Sequence, residues 1–355
     1  MDQADEIQPT QSEWLQLYQT AIRFRDLAPW NWMFDSQTFG VQDPESGEIG
    51  YCCVMGYLGE HFALAVYDGT EGLHGLRKMR EEGPQSSYTD IMMLQKCLMA
   101  SFEDRDMLDK PDLSQIKELG LKFRGRGAWP QFRSYLPGYA PWYLTGSQAR
   151  FLTIALEQSM EVAKRIQDDP FLVPEDRFGG PYLVRVPHGS SPDITWNDVR
   201  LKPAPLPVAK REPVPLSPEL RTQALQVKRL PKTRGILEMD FFYLPATIAG
   251  ENGGRPYFAY VVLAAEADSG MILSTDVVKP DEIASAVSKT LLNVLQSVEM
   301  LPARVNVDKE EALAYLEPAC AAIGIRAAKV RQLKAIPDAR EELTNYMGMG
   351  APPGL

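Results

Sequence analysis

The chain has only three histidines, His61, His74 and His188, and they are scattered, so a histidine-built metal centre is excluded as an organising feature. Cysteine is equally scarce. Cys52 and Cys53 are adjacent, Cys97 and Cys320 stand alone, and no CxxC pair exists to hold zinc or to exchange disulfides. These thiols read as small buried hydrophobes of a chain from a reducing compartment. No stretch approaches the roughly 18 uninterrupted apolar residues that a membrane helix needs. The start, "MDQADEIQPTQSEW", is acidic and polar where a signal peptide would be basic and then apolar. The expectation is a soluble cytoplasmic protein with no membrane partner. Positive charge is short as well: 37 Lys and Arg stand against 47 Asp and Glu, for a net charge of -10. That balance argues against a protein coating nucleic acid over its whole surface and leaves only local basic patches.

What the chain does have is enough apolar residue, 45% over 355 positions, for two separate cores. Residues 11–27 space Trp14, Leu15, Leu17, Tyr18, Ile22 and Phe24 close to a helical period. "YCCVMGYLGEHFALAVYDG", broken at Gly56 and Gly59, reads as two short strands around a tight turn. "TEGLHGLRKMREE" reads as a helix capped by Thr70. Mixed strand-like and helical pieces run from Ile91 to Leu121, and Ser147 to Ile166 forms an amphipathic helix. Residues 1–200 are thus expected to be an α+β domain with a helical extension, without repeats.

Two segments carry surplus positive charge. "FRGRGAWPQFRSYLPGYAPWYL", residues 123–144, alternates arginine with aromatic rings. In a strand-binding reading, the rings stack bases while Arg124, Arg126 and Arg133 hold phosphates. In a structural reading, favoured because Pro130, Pro137 and Pro141 oppose regular pairing, this is an irregular loop whose rings plug the core. Residues 201–231, "LKPAPLPVAKREPVPLSPELRTQALQVKRLP", are rich in proline and carry Lys210, Arg211, Lys228 and Arg229 among their cations. They read as an extended, semi-rigid linker and as the domain boundary.

From residue 232 to 355 the elements follow in clear order. "GILEMDFFYLP", "PYFAYVVLAAEAD" and "MILSTDVV" are three strands joined by "ENGGRP" and "SG" turns. A helix opens at Pro280 and places Ile283, Val287, Leu291, Leu292 and Leu295 on one face. "ARVNVD" is a fourth strand, "EEALAYLEPACAAIG" a helix ended by Gly324, "IRAAKVRQL" a fifth strand and "PDAREELTNYM" a last helix.

Three strands in a meander, then helix, strand, helix, strand and helix, is an order that resembles the ribonuclease H-like fold. Residues 235–347 are similar to the core of its retroviral-integrase and transposase branch, and the whole chain also resembles a bacterial family of two-domain proteins of unknown function. The resemblance implies an α/β domain with a five-stranded mixed sheet whose first and fourth strands are neighbours. It also implies an acid on the first strand, another closing the fourth and a third on a late helix, together holding two divalent cations, Mg or Mn. Two such cations clamp the attacking and leaving oxygens of a phosphodiester, and carboxylate oxygens suit them. Asp240 and Asp308 match the first two positions, and Glu341 or Glu342 falls at the third. Asp240, Asp308 and Glu341 would be the metal ligands.

The chain departs from that pattern in two places. After Asp308 it reads "KEEALAYL" where integrase-like enzymes place an Asn-Gly turn, and the domain's tail lacks a basic cluster. Two function classes follow. The favoured one is a non-catalytic interaction or regulatory protein on a ribonuclease H-like scaffold, with Asp240 as an ion-paired strand acid near Arg255 or Lys279. The alternative is a metal-dependent nuclease or phosphodiester transferase acting through the named acids. Nucleic acid and protein are the corresponding partner classes.

Overall fold

The computed structural model describes residues 8–82, 88–175, 180–189, 193–205 and 215–346. The chain divides into two compact units, residues 1–137 with 141–206, and residues 138–140 with 207–355.

In the first unit α1 (Gln11–Leu27) starts at a capping box, in which Thr10 and Glu13 satisfy each other's backbone N–H, and it buries Leu17, Tyr18, Ala21 and Phe24. Then come β1 (Thr38–Gln42), β2 (Ile49–Met55), β3 (Ala63–Asp68), α2 (Gly69–Glu82), α3 (Tyr88–Leu94), β4 (Cys97–Glu103), α4 (Lys110–Glu118), β5 (Trp129–Tyr135), α5 (Gly146–Asp168), β6 (Tyr182–His188) and β7 (Thr195–Leu201). The strands make one seven-stranded sheet in the order β5-β4-β3-β2-β1-β6-β7. Only β1 and β6 run parallel; every other neighbouring pair is antiparallel. One face of this sheet packs under α1 and α5, the other under α2.

Several expectations change here. Thr70 lies inside α2, which begins at Gly69, and is not its N-cap. Helix α5 is no extension: Leu152, Leu156, Val162 and Ala163 put it in the centre of the core. Residues 129–135, expected as irregular loop, form strand β5. Pro130 is tolerated because β5 is a sheet edge, where the missing N–H faces no partner strand. The sequence carries no strong signal for the β6–β7 hairpin, since β7 is largely exposed and so lacks an apolar alternation.

The second unit runs α6 (Pro218–Val227), β8 (Ile236–Ile248), β9 (Tyr257–Glu266), β10 (Ile272–Val278), α7 (Ile283–Val298), β11 (Arg304–Val307), α8 (Glu310–Ile323), β12 (Arg326–Lys329) and α9 (Ile336–Tyr346). Its sheet is mixed, in the order β10-β9-β8-β11-β12. β8, β9 and β10 form an antiparallel meander, while β11 lies parallel to both β8 and β12. The first strand of the meander therefore neighbours the fourth strand, as the ribonuclease H-like resemblance implies. Period-two alternation sorts the side chains: Leu237, Met239 and Phe241 meet α7 and α8, whereas Phe242 and Leu244 meet α9. Helix α6 corrects the picture of residues 201–231 as wholly extended. Ser217 caps it, and Leu216, Ala224 and Val227 are buried in this unit's core. Among the described residues no helix is long and apolar enough to cross a membrane.

Candidate functional site

Strands β8 and β11 pair in register, Ile236 beside Arg304, Leu237 beside Val305 and Glu238 beside Asn306. Glu238 and Asn306 thus sit side by side on one face of an otherwise apolar sheet. Asp240 follows two residues further along β8 on that same face, and Asp308 is the first residue past the end of β11, near enough for its charge to act on Asp240. Glu238, which the sequence reading passed over, is 1% exposed. Its carboxylate accepts the backbone N–H groups of Lys334, at 2.9 and 3.0 Å, and of Ala335, at 2.8 Å. These donors lie just before α9, where orphan N–H groups and the helix dipole favour an anion. The signal was its spacing, two residues before Asp240 in "LEMD".

Asp240 is 5% exposed. Lys309 Nζ sits 2.6 Å from its Oδ1, also donates to the Phe241 carbonyl, and lies 5.0 Å from the centre of the Phe241 ring. Lys309 directly follows Asp308 at the N-cap position of α8, so the turn out of β11 delivers the ammonium to the neighbouring strand. Burial raises the Asp240 carboxyl above the ordinary range, Lys309 pulls it down, and the nearby charge of Asp308 raises it again. The cation expected near Asp240 was Arg255 or Lys279. Lys279 instead pairs with Glu251 at 2.8 Å, and Arg255 lies eight residues before Leu263, the β9 residue opposite Asp240. Asp308 Oδ1 and Asn306 Oδ1 are both buried without a hydrogen-bond partner among the described residues.

Glu341 and Glu342 are both exposed on α9. Glu342 lines a shallow hollow of about 360 Å³ with Asp268, Lys334 and Asp338, beside the β9–β10 turn. Among the described residues no three acidic, histidine or cysteine side chains form a group that could hold a metal ion. The residues present thus do not fit a two-cation clamp. The acid pair is there, but an ammonium group stands on it and the third carboxylate does not join it.

The basic candidates divide as well. Arg124 and Arg126 are exposed, the latter with Nε 3.5 Å from Asp104. Arg133 is withdrawn from any strand-gripping set. It is 7% exposed, gripped by Asp112 at 2.6 and 2.9 Å and by Asp109 at 3.0 Å, with Tyr143 stacked 4.8 Å from its guanidinium. Around it Phe123 and Phe132 are buried against Tyr18. Lys228 and Arg229 are exposed just past α6, while Lys210 and Arg211 lie outside the described residues.

Residues 14–185 match a family described as "Domain of unknown function (DUF7309)". Residues 223–344 match "Domain of unknown function (DUF6930)". No curated protein matches the chain in sequence. Among solved structures, the catalytic core domain of BIV integrase is 18% identical over 34% of this chain and 76% of its own, with a TM-score of 0.24. The HTLV-2 integrase catalytic core domain, solved with magnesium, is 14% identical over 36% of this chain and 78% of its own, also at 0.24. Mos1 transposase, in a paired-end complex with the left transposon end, is 12% identical over 57% and 59%, at 0.21. The strand order and directions of the second unit, given above, define its fold.

Proposed function

We propose that this is a non-catalytic interaction or regulatory protein that uses a ribonuclease H-like unit as a scaffold. The observation that carries the reading is the Lys309–Asp240 ion pair. A tethered ammonium neutralises the first-strand acid, and a cation entering there would have to displace it against like charge. A cytoplasmic setting fits four buried, unpaired cysteines, of which Cys53 is pushed up to about 11 by burial and so is a poor nucleophile. The test is incubation of the full-length protein with labelled single- and double-stranded DNA and RNA in Mg²⁺ or Mn²⁺. Intact substrates are expected. Cleavage or strand joining that disappears in Asp240→Asn would overturn the reading.

One observation favours the second reading, a metal-dependent nuclease or phosphodiester transferase. Asp308 carries a buried carboxylate oxygen with no donor among the described residues, and such an oxygen is satisfied by a cation. In that reading Asp240 and Asp308 would hold Mg or Mn, with Glu341 or Glu342 brought in, and Arg124, Arg126, Lys210, Arg211, Lys228 and Arg229 would contact the strand.

A further inference from the structure

The first unit presents an apolar surface that its own fold does not need. In "GYLG" the two glycines have φ of +123° and +81°, and the Gly59 N–H closes the turn onto the Gly56 carbonyl. This turn between β2 and β3 holds Tyr57 and Leu58 at its tip, 49% and 82% exposed. Phe34, 40% exposed, packs against Tyr57 with the rings tilted and their centres 4.3 Å apart. Past Phe34 a hollow of about 600 Å³ opens between Trp32, Ile166, Val173 and Phe171, the last of these 86% exposed. Its walls are fixed beforehand. Gln37, itself buried, accepts the Phe34 N–H at 3.0 Å and donates to the Val173 carbonyl at 3.0 Å, which ties two of the loops together. Trp32 donates its indole N–H to the Ala163 carbonyl at 2.9 Å. A volume of this size suits one or two bulky side chains, and exposed aromatic rings around such a hollow mark interaction surfaces.

Charge identifies the occupant. Residues 32–37, 56–60 and 168–175, which build the surface, contain Asp35, Glu60, Asp168, Asp169 and Glu175 and no lysine or arginine. Arg200 and Arg80 reach these loops from outside, and both donate to backbone carbonyls there, those of Leu172 and Asp35. A second copy of this surface would bring the same acids face to face, and an anionic lipid surface would be repelled. We propose that the surface docks a basic peptide segment of a protein partner, whose bulky apolar side chain fills the hollow while flanking Lys or Arg meet the acidic rim. This rests on the reading of the protein as an interaction module. It is nevertheless tested away from the acid pair, so either can fail alone.

The experiment measures fluorescence anisotropy of two labelled synthetic peptides, alternating leucine–lysine and alternating leucine–glutamate, titrated with the full-length protein. The lysine peptide is expected to bind saturably and the glutamate peptide not to bind. Leu58→Ser with Phe171→Ser, both at highly exposed positions where folding is spared, should weaken binding at least about tenfold. Met107→Ser, a 65%-exposed apolar position elsewhere on the unit, should leave it unchanged. Equal binding by wild type and the double variant, no binding of either peptide, or a concentration-dependent dimer abolished by the same two substitutions would each overturn the proposal.

Discussion

At the scale of single residues, Asp240 is a carboxyl whose environment works against its charge. Burial is the largest influence, and together with the charge of Asp308 it leaves the carboxyl raised in spite of the Lys309 ammonium beside it. The folded protein therefore binds the Asp240 proton more tightly than the unfolded chain does. Stability from this group is fully present below the ordinary value of 3.8 and is lost as pH rises through the raised folded value. Urea unfolding of wild type and Asp240→Asn across that window should show the wild type losing stability relative to the variant as pH rises. Parallel pH profiles would contradict this account of the site. Arg133 makes the opposite case, a charge whose partners are in place. Its side chain and that of Asp112 are 8% and 9% exposed, so Arg133→Ala leaves a buried carboxylate without its counter-ion. The expected loss is about 3–5 kcal/mol, measured by chemical denaturation. Arg126→Ala, with a side chain 96% exposed, should leave the denaturation curve unchanged. If the two arginines behaved alike, Arg133 would not be the internal strut described.

At the scale of elements, α9 is fastened to the sheet by Glu238, whose carboxylate takes backbone N–H groups that no helical turn can satisfy. Glu238→Ala should cost roughly 1–3 kcal/mol by leaving those donors buried and unpaired. Hydrogen exchange should speed up in α9 before it does in α8, and Glu238→Gln, which keeps one acceptor oxygen, should recover part of the protection. Uniform loosening of both helices would mean that Glu238 supports the whole unit and not this helix alone. Elements with strong periodicity were legible in the sequence. Helix α1 matches residues 11–27 end to end, and the face expected on α7, Ile283 through Leu295, is buried throughout. Those that failed lacked periodicity for physical reasons. β5 contains Pro130 and survives as an edge, β7 is exposed, and α6 lies in a proline-rich context that disguises its buried Ala224 and Val227. The same limit applies at the site. The acids Asp240 and Asp308 could be aligned along neighbouring strands from element order, but the ammonium on Asp240 comes from a turn whose geometry no spacing rule encodes. Arg133 could not be sorted from Arg126 without knowing that α4 places two acids, Asp112 and its cap Asp109, opposite the edge strand.

At the scale of the whole molecule, the second unit's core begins at Leu216, and this shifts where the chain should open to a protease. By composition residues 202–215 are mostly proline, alanine and charge, with few large apolar side chains, whereas α6 has a buried face. Limited digestion should cut before Ser217 and leave α6 on the C-terminal fragment; first cuts within residues 218–227 would contradict its place in that core. The central claim, that a tethered lysine replaces a bound cation on the acid pair, is tested most directly by calorimetric titration of Mn²⁺ into full-length wild type, with Asp240→Asn as reference. The account predicts negligible and equal heats in the two proteins. Saturable binding to the wild type that is lost in Asp240→Asn would contradict it, because Lys309 would then yield its place to a metal ion.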